Sequence, residues 1–538
     1  MSRRSLLLGA AGAAGLASTG GAWLALRPED PGAGRLLAGS DAVQRAEDFR
    51  RSAGSGRTVR AALVAEEAEV DLGGRVVRTW SYDGRIPGSV LRCRAGDQLE
   101  IDVRNRLPEP TTVHWHGLRL RNDMDGVPNL TQRPIAPGED MRYSFTAPDP
   151  GTYWFHPHMG LQRERGLFAP LIIDDPADPG DYDVEFVVVL DDWIDGVDAT
   201  PDDVLAALRT GGAGARYRSP VLAGKIADES ASWTYHVPPA LADAPPGTPS
   251  AVTRLASSID FPFYLLNGRL PTAPPTFRAE PGQRARIRLI NAAGATVFRV
   301  ALGGHRLTVT HTDGFPVEPV TVDTLQIASG ERYDLLVTLD DGAFPLVGVA
   351  EGKGAQAFGI VRTGSGSAPP ADAAPAALSG RLLALSDLRA TAGVRIPRQA
   401  PDASHTAYLT GDMNAFAWRI NAETYHHDRP FDGITPLPLH AGQHVQLELV
   451  NQTPMYHPMH LHGHTFAVHG IGDYRDVERT GNTVLPEGTR KDTVMVAPGE
   501  RLTVSFAADN PGQWLVHCHN AYHMATGMAA VLSYLADP

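Results

Sequence analysis

The sequence predicts an all-β protein of three consecutive Greek-key β-sandwiches. Three observations predict it. Glycine and proline are abundant, 55 and 43 residues, which favours many short strands joined by turns over long helices. At 538 residues the chain exceeds one ordinary domain, and its length alone suggests about three. Finally, one pattern occurs three times. Gly96–Asn105 reads GDQLEIDVRN, Gly282–Asn291 reads GQRARIRLIN and Gly442–Asn451 reads GQHVQLELVN. Each is a glycine-led segment of alternating character ending in Asn, as expected of a half-buried strand running into a turn.

Two further blocks keep the same spacing. Nine residues after each Asn come His114-Trp115-His116-Gly117, Val300-Ala301-Leu302-Gly303 and His460-Leu461-His462-Gly463. A Gly-Glu pair then opens at Gly138, Gly330 and Gly499, and eighteen residues beyond those glycines lie His156-Pro157-His158, Gly348-Val349-Ala350 and His517-Cys518-His519. The middle copy keeps the fold signature and lacks the histidines. The domains expected are 58–178, 179–362 and 381–538, with 27–57 as an N-terminal linker and the Pro/Ala/Ser-rich stretch 363–380 as a linker between the second and third.

Residues 1–26 form a separate segment. Arg3 and Arg4 precede an uncharged stretch from Ser5 to Leu26, the pattern of a twin-arginine export signal. An extracellular or cell-envelope location follows. The stretch is also long enough to stay as a single membrane anchor, so cleavage against anchoring stays open. It holds no cysteine, so lipid attachment is excluded. The rest of the composition is that of a soluble globular protein, 43% apolar and 20% charged. A net charge of −13 argues against a nucleic-acid partner, which requires a basic face. Of the two cysteines, Cys93 reads as a small buried hydrophobe.

The histidines carry the chemistry. Side chains at i and i+2 of a strand share one face, so each H-x-H strand offers two imidazoles to one side. One such pair is an ordinary polar strand face; four pairs at two matched repeat positions are not. His114/His116 and His156/His158 come from the first domain, His460/His462 and His517/His519 from the third, so eight imidazoles can meet at one inter-domain interface. That exceeds the four that a tetrahedral ion takes. Three ions would share them as two, three and three, with open positions for a small ligand. Imidazole suits copper, zinc, iron or nickel, so the cluster alone does not name the metal.

The stretch HCHNAYHMATGM does. On its strand Cys518 faces away from His517 and His519 and joins a second site. A trigonal His₂Cys set with a weak axial Met is the blue-copper electron-transfer arrangement. Cys518, His523 and Met528 come from this stretch, and the best candidate for the second imidazole is His457, on a turn leading into the His460 strand. Cys518 then binds one metal while its covalent neighbours bind others, a short through-bond path for an electron. Of the remaining histidines, His464 reads as structural, and His426 and His427 as solvated loop residues.

These residues resemble those of the multicopper oxidases, laccase-like enzymes of three cupredoxin domains. HWHG, HPH, HPMHLHGH and HCHNAYHMATGM have the family's order and spacing, and the likeness covers nearly all of the mature chain. RNDMDG, DPGTYWFHPH and HCHNAYHMATGM look most like actinobacterial, mycobacterial-type oxidases associated with copper tolerance. The resemblance implies four copper ions. A type 1 copper would take His457, Cys518, His523 and Met528, and a type 2 copper His114 and His460. One type 3 copper would take His116, His156 and His517, the other His158, His462 and His519. It also implies four one-electron oxidations at the blue site and reduction of O₂ to two waters at the cluster. An axial Met, compared with Leu or Phe, implies a lower potential and easily oxidised donors. Asp125, in the MDG turn, is implied as the carboxylate that relays protons. Bacterial relatives often place a second acid directly after the second blue-copper histidine; here that position is Met524.

The donor expected is Cu(I), serving copper tolerance, with oxidation of phenols or aromatic amines accompanying it. Met455, Met459 and Met524 supply soft thioethers in sequence around the blue-copper ligands. The rival readings are a copper-binding electron carrier, which would not need four H-x-H pairs, and a copper nitrite reductase, usually of two domains. Three domains already close the interface, so a monomer suffices.

Overall fold

In the computed structural model, which describes residues 34–212, 216–219, 257–474 and 483–536, the three sequence repeats become three two-sheet units. The twin arginine and the uncharged stretch after it lie outside the described residues. The first unit has a four-stranded sheet, in the order Val76–Tyr82, Thr58–Asp71, Gln98–Asn105, Asp140–Thr146. A second sheet follows the order Leu91–Arg94, Ala169–Asp174, Gly151–His156, His114–His116. Both sheets feed one buried cluster that includes Leu63, Ile101, Tyr143, Trp115, Phe155 and Leu171. The period-2 pattern decides which face goes in: Leu99, Ile101 and Val103 are buried while Asp102 and Arg104 point out. The second and third units each pair a six-stranded sheet with a five-stranded one.

The repeated strand has the same place in all three units. Gln98–Asn105, Arg284–Asn291 and His444–Asn451 are each third in their sheet, with a parallel neighbour on one side and an antiparallel one on the other. A parallel neighbour cannot be reached by a hairpin, so the chain must cross over. The glycines that lead these strands, Gly96, Gly282 and Gly442, have φ of 85°, 83° and 85°, a left-handed turn that other residues adopt at a cost.

The closing asparagines do more than end a strand. Asn105 donates from Nδ2 to the carbonyls of Glu109 and Ile135 and accepts from the Leu107 N–H. Asn291 does the same with Thr296, Ile327 and Ala293, and Asn451 with Met455, Val496 and Thr453. In each unit the amide staples the repeated strand to the loop behind it, and all three asparagines are buried.

Two stretches expected as linkers are fastened down. Within 27–57 a helix, Asp41–Ser52, buries Val43 and Glu47, and Glu47 Oε1 accepts from both the N–H and the hydroxyl of Thr146 at 2.9 Å. Its apolar side is too narrow to register as a periodic pattern. Within 363–380, Leu378 is buried beside Val347 and Phe358, and Gln356 Nε2 donates to the carbonyls of Ala371 and Ala373.

Candidate metal centre

Two pairs of strands deliver the histidines. In the first unit His114 lies opposite His156, and in the third His460 lies opposite His517 with Met459 opposite Cys518. Only His114 and His116 both lie within a strand; His158, His462 and His519 sit just past strand ends. His457, expected on a turn, begins the strand His457–Leu461. All eight paired histidines are buried and meet between the first and third units. His114 stacks on His462 and His116 on His460, each with ring centroids 3.9 Å apart.

The grouping differs from the expected one at one pair. His519, not His517, joins His116 and His156, while His517 joins His158 and His462. Strand direction explains the exchange. The H-x-H segments of the two units face each other in opposite senses, so the first histidine of one meets the second of the other. His156 lies against His519 at 5.3 Å between centroids and His158 against His517 at 4.9 Å. Within the third unit the His519 N–H reaches the Pro458 carbonyl, two positions beyond the His460/His517 pair and away from His462.

The donor set fits metal ions. Within each of the triads just named, and within His114/His116/His460, the ring nitrogens lie within 4.8 Å of one another. His114 Nε2, His116 Nδ1, His156 Nε2 and His460 Nε2 are buried with no hydrogen-bond partner, a costly arrangement unless a metal takes them. The opposite ring nitrogens are held. Nδ1 of His114, His156, His460 and His517 lies 2.8–2.9 Å from the carbonyls of Asp125, Pro157, Asp492 and Cys518 respectively. Nδ1 of His462 lies 2.9 Å from Asp125 Oδ2. An N–H donated at Nδ1 leaves Nε2 as the ligand atom. His116 is reversed: its Nε2 lies 3.2 Å from Thr493 Oγ1 and 3.3 Å from Asp492 Oδ1, leaving Nδ1 to the metal.

Electrostatics favour the ligating form. Burial, reinforced by neighbouring imidazoles and Arg163, pushes His156, His517 and His519 well below the ordinary histidine range. Burial and the facing imidazoles do the same to His158 and His462. Neutral imidazole is the form that binds metal. Burial alone would raise the Asp492 carboxyl, but Arg332 and His460 hold it well below the usual carboxylate range.

The second set is separate. Cys518 Sγ lies 3.5 Å from His457 Nδ1 and 3.6 Å from His523 Nδ1, and the two nitrogens are 3.1 Å apart. All three side chains are buried. His523 sits on the short helix Ala521–Ala525, capped by Asn520, whose Oδ1 accepts from the N–H groups of Tyr522 and His523. Thr453 Oγ1, 2.7 Å from His457 Nε2, turns Nδ1 toward the sulfur. Met528 is buried, and its carbonyl accepts from the Cys518 N–H at 3.1 Å. Trp418 lies over His523 with ring centroids 4.3 Å apart.

Asp125 touches both His114 and His462. Several contacts had no sequence signal, because the residues fall outside the repeated blocks: Asp492 and Thr493, Thr453, Trp418, and Arg163 with Ser329, which both approach His519 Nδ1. His464 bonds to the Tyr534 hydroxyl at 2.6 Å, a structural role as expected. His426 is exposed, but His427 is half-buried, and burial pushes it down to about 4. With Met524 it lines a cavity of about 30 Å³ that ends on His156, His158 and His517, room for a molecule the size of water. Met455 and Met459 are buried in the core.

Three successive stretches, 64–178, 229–364 and 398–537, match family models described as multicopper oxidase. The chain is 41% identical over 534 residues to the multicopper oxidase MmcO of Mycobacterium tuberculosis, across 99% of this chain and 97% of that protein. It is 28% identical to copper resistance protein A of Escherichia coli, across 87% of this chain and 91% of that one. Among solved structures, a multi-copper oxidase from Pseudomonas thermotolerans aligns with a TM-score of 0.64 at 27% identity, covering 89% of this chain and 99% of that one.

Proposed function

The chain belongs to the multicopper oxidases, and from that premise we propose that it oxidises Cu(I), with phenols or aromatic amines as accompanying donors, while reducing O₂ to two waters. The observation that carries this reading is the meeting of eight buried imidazoles beside a His₂Cys set whose cysteine is covalently flanked by two of them. Four copper ions would account for these donors. One would be held by His457, Cys518, His523 and Met528, and a second by His114 and His460. A third would be held by His116, His156 and His519, and a fourth by His158, His462 and His517. Bound there, copper would supply one-electron redox chemistry at the thiolate site and open positions for O₂ at the cluster.

The chain's own residues prepare both ends. Thr453 fixes the His457 ring, and Asp125 and Asp492 fix the cluster rings. Four protons are consumed per O₂, and Asp125, touching His114 and His462, is placed to pass them on. Two arguments favour Cu(I) as donor. A relative of 28% identity is named copper resistance protein A. His523 is only 1% exposed beneath Trp418, which leaves little imidazole surface for a phenol ring. Met455 and Met459 lie in the core, and Met413 is half-buried on the turn between the strands that carry Gly411 and Trp418. We place the chain outside the cytoplasm by twin-arginine export, as a monomer, with its leader cleaved or kept as an anchor.

Oxygen uptake by the copper-loaded protein, on Cu(I) and on a phenol at matched concentration, tests the reading. Faster uptake on Cu(I) supports it. Faster uptake on the phenol overturns the cuprous role. Uptake on neither overturns the oxidase and leaves an electron carrier.

A further inference from the structure

Arg332 brings the second sandwich, the unit without paired histidines, to the edge of the cluster. It opens the strand Arg332–Thr338 and is fully buried. Its Nη1 and Nη2 donate to the two oxygens of Asp492, in the third unit, at 2.7 Å each, and its Nε donates to the Thr152 carbonyl, in the first, at 3.0 Å. One guanidinium therefore joins all three units.

Asp492 in turn faces two cluster histidines. Its Oδ1 lies 3.3 Å from His116 Nε2 and 3.4 Å from His460 Nδ1, and its carbonyl lies 2.9 Å from the same His460 nitrogen. Thr493 Oγ1 donates to Asp492 Oδ1 at 2.8 Å and lies between the two rings, 3.2 Å from His116 Nε2 and 3.1 Å from His460 Nδ1. Asp313, also from the second unit, pins this turn: it accepts from the N–H groups of Arg332, Asp492 and Thr493. The glycine of HWHG records how close the guanidinium comes. A Cβ on Gly117 would stand 2.4 Å from Arg332 Nη2 and 2.7 Å from Asp492 Oδ2.

We infer that Arg332 is a positioning residue for the oxygen-reducing cluster, fixing through Asp492 which ring nitrogen of His116 and His460 faces the metal. The inference rests on the proposed reading of those histidines as copper ligands. A forked, two-point contact sets the plane of the carboxylate, which a single ammonium does not. The oriented carboxylate and its neighbour Thr493 hold His116 by Nε2 and His460 by Nδ1. The unit without the paired histidines thus has a part in the site.

The test compares Arg332→Lys, Arg332→Met and the pair Arg332→Met with Asp492→Asn. The readouts are chelator competition for cluster copper, the EPR signal of the type 2 copper, and the blue absorption band as an independent witness of folding. Arg332→Met is expected to keep the blue band while cluster affinity falls roughly 10- to 100-fold and the EPR signal shifts or is lost. Lys is expected to fall between. Removing one partner of a buried ion pair can itself unfold a protein, and the double variant addresses that by leaving no bare charge. A blue band with a still weak cluster in the double variant supports positioning. A blue band with wild-type cluster affinity, in the double or in either single variant, overturns it. A wild-type protein that binds copper only at Cys518 overturns the parent reading, and this inference with it.

Discussion

His114 of the first sandwich lies on His462 of the third, ring centroids 3.9 Å apart and planes within 24°, and Asp125 holds both. Its carbonyl lies 2.8 Å from His114 Nδ1 and its Oδ2 2.9 Å from His462 Nδ1. A conservative substitution here tells orientation from the proposed proton relay. Asp125→Asn keeps the backbone carbonyl and a side-chain acceptor, so copper per chain is expected to hold while turnover drops about 100-fold, the scale of a lost acid–base group. Unchanged oxygen uptake in the Asn variant would reduce Asp125 to an orienting role.

Trp418 packs against His523. Its indole is fully buried and lies 4.3 Å from the imidazole. Trp418→Phe is expected to raise kcat/KM for a bulky phenol several-fold relative to Cu(I), because it uncovers ring surface at a modest packing loss. Truncation to Ala would cost about 3–5 kcal/mol of stability, which makes Phe the cleaner variant. An unchanged donor ratio would show that the indole does not set access.

The metal-free protein is expected to be acid-labile. Burial depresses His457 to about 3 and His464 and His469 to about 4, and lowers His116, His156, His158, His460, His462, His517 and His519 too. The unfolded chain therefore takes up protons first as pH falls. Stability is complete above the free-imidazole value of about 6.5 and is lost between there and the folded values, by up to about 2 kcal/mol per imidazole at pH 5. Buried acids work the other way: burial pushes Glu164 up to about 8 and Glu500 up to about 7. They are outnumbered by the buried imidazoles. The melting temperature of the metal-free protein should fall between pH 7 and pH 5; a flat profile would contradict this.

Asn291→Ala tests the staple of the second unit, far from any proposed ligand in sequence. Three hydrogen bonds are lost and two buried carbonyls are left without this donor, for an expected loss of about 2–3 kcal/mol. Denaturant unfolding measures it; an unchanged midpoint would show that the staple carries no stability.

That asparagine marks how far the sequence could be read. Strand alternation and the glycine-led repeats made the three units legible, because period-2 burial and left-handed turns leave marks in single residues. The four H-x-H pairs and HCH were legible for the same reason, local spacing on strands. The exchange of His517 and His519 was not, since it depends on the relative direction of strands from two units. Asp492 and Trp418 were invisible because nothing repeated marks them, and Arg332, beside the repeated Gly330-Glu331, because its ion pair spans 160 residues. The Asp41–Ser52 helix escaped because its buried face is little more than Val43 and Glu47.

Copper per chain in the purified, copper-loaded protein beside a Cys518→Ser variant, with oxygen uptake measured on both, tests the two-centre oxidase most directly. About four coppers are expected in the wild type, one fewer in the variant, with loss of the blue colour and of oxygen uptake together. One or two coppers in the wild type with no oxygen uptake, or uptake that survives without Cys518, would contradict it.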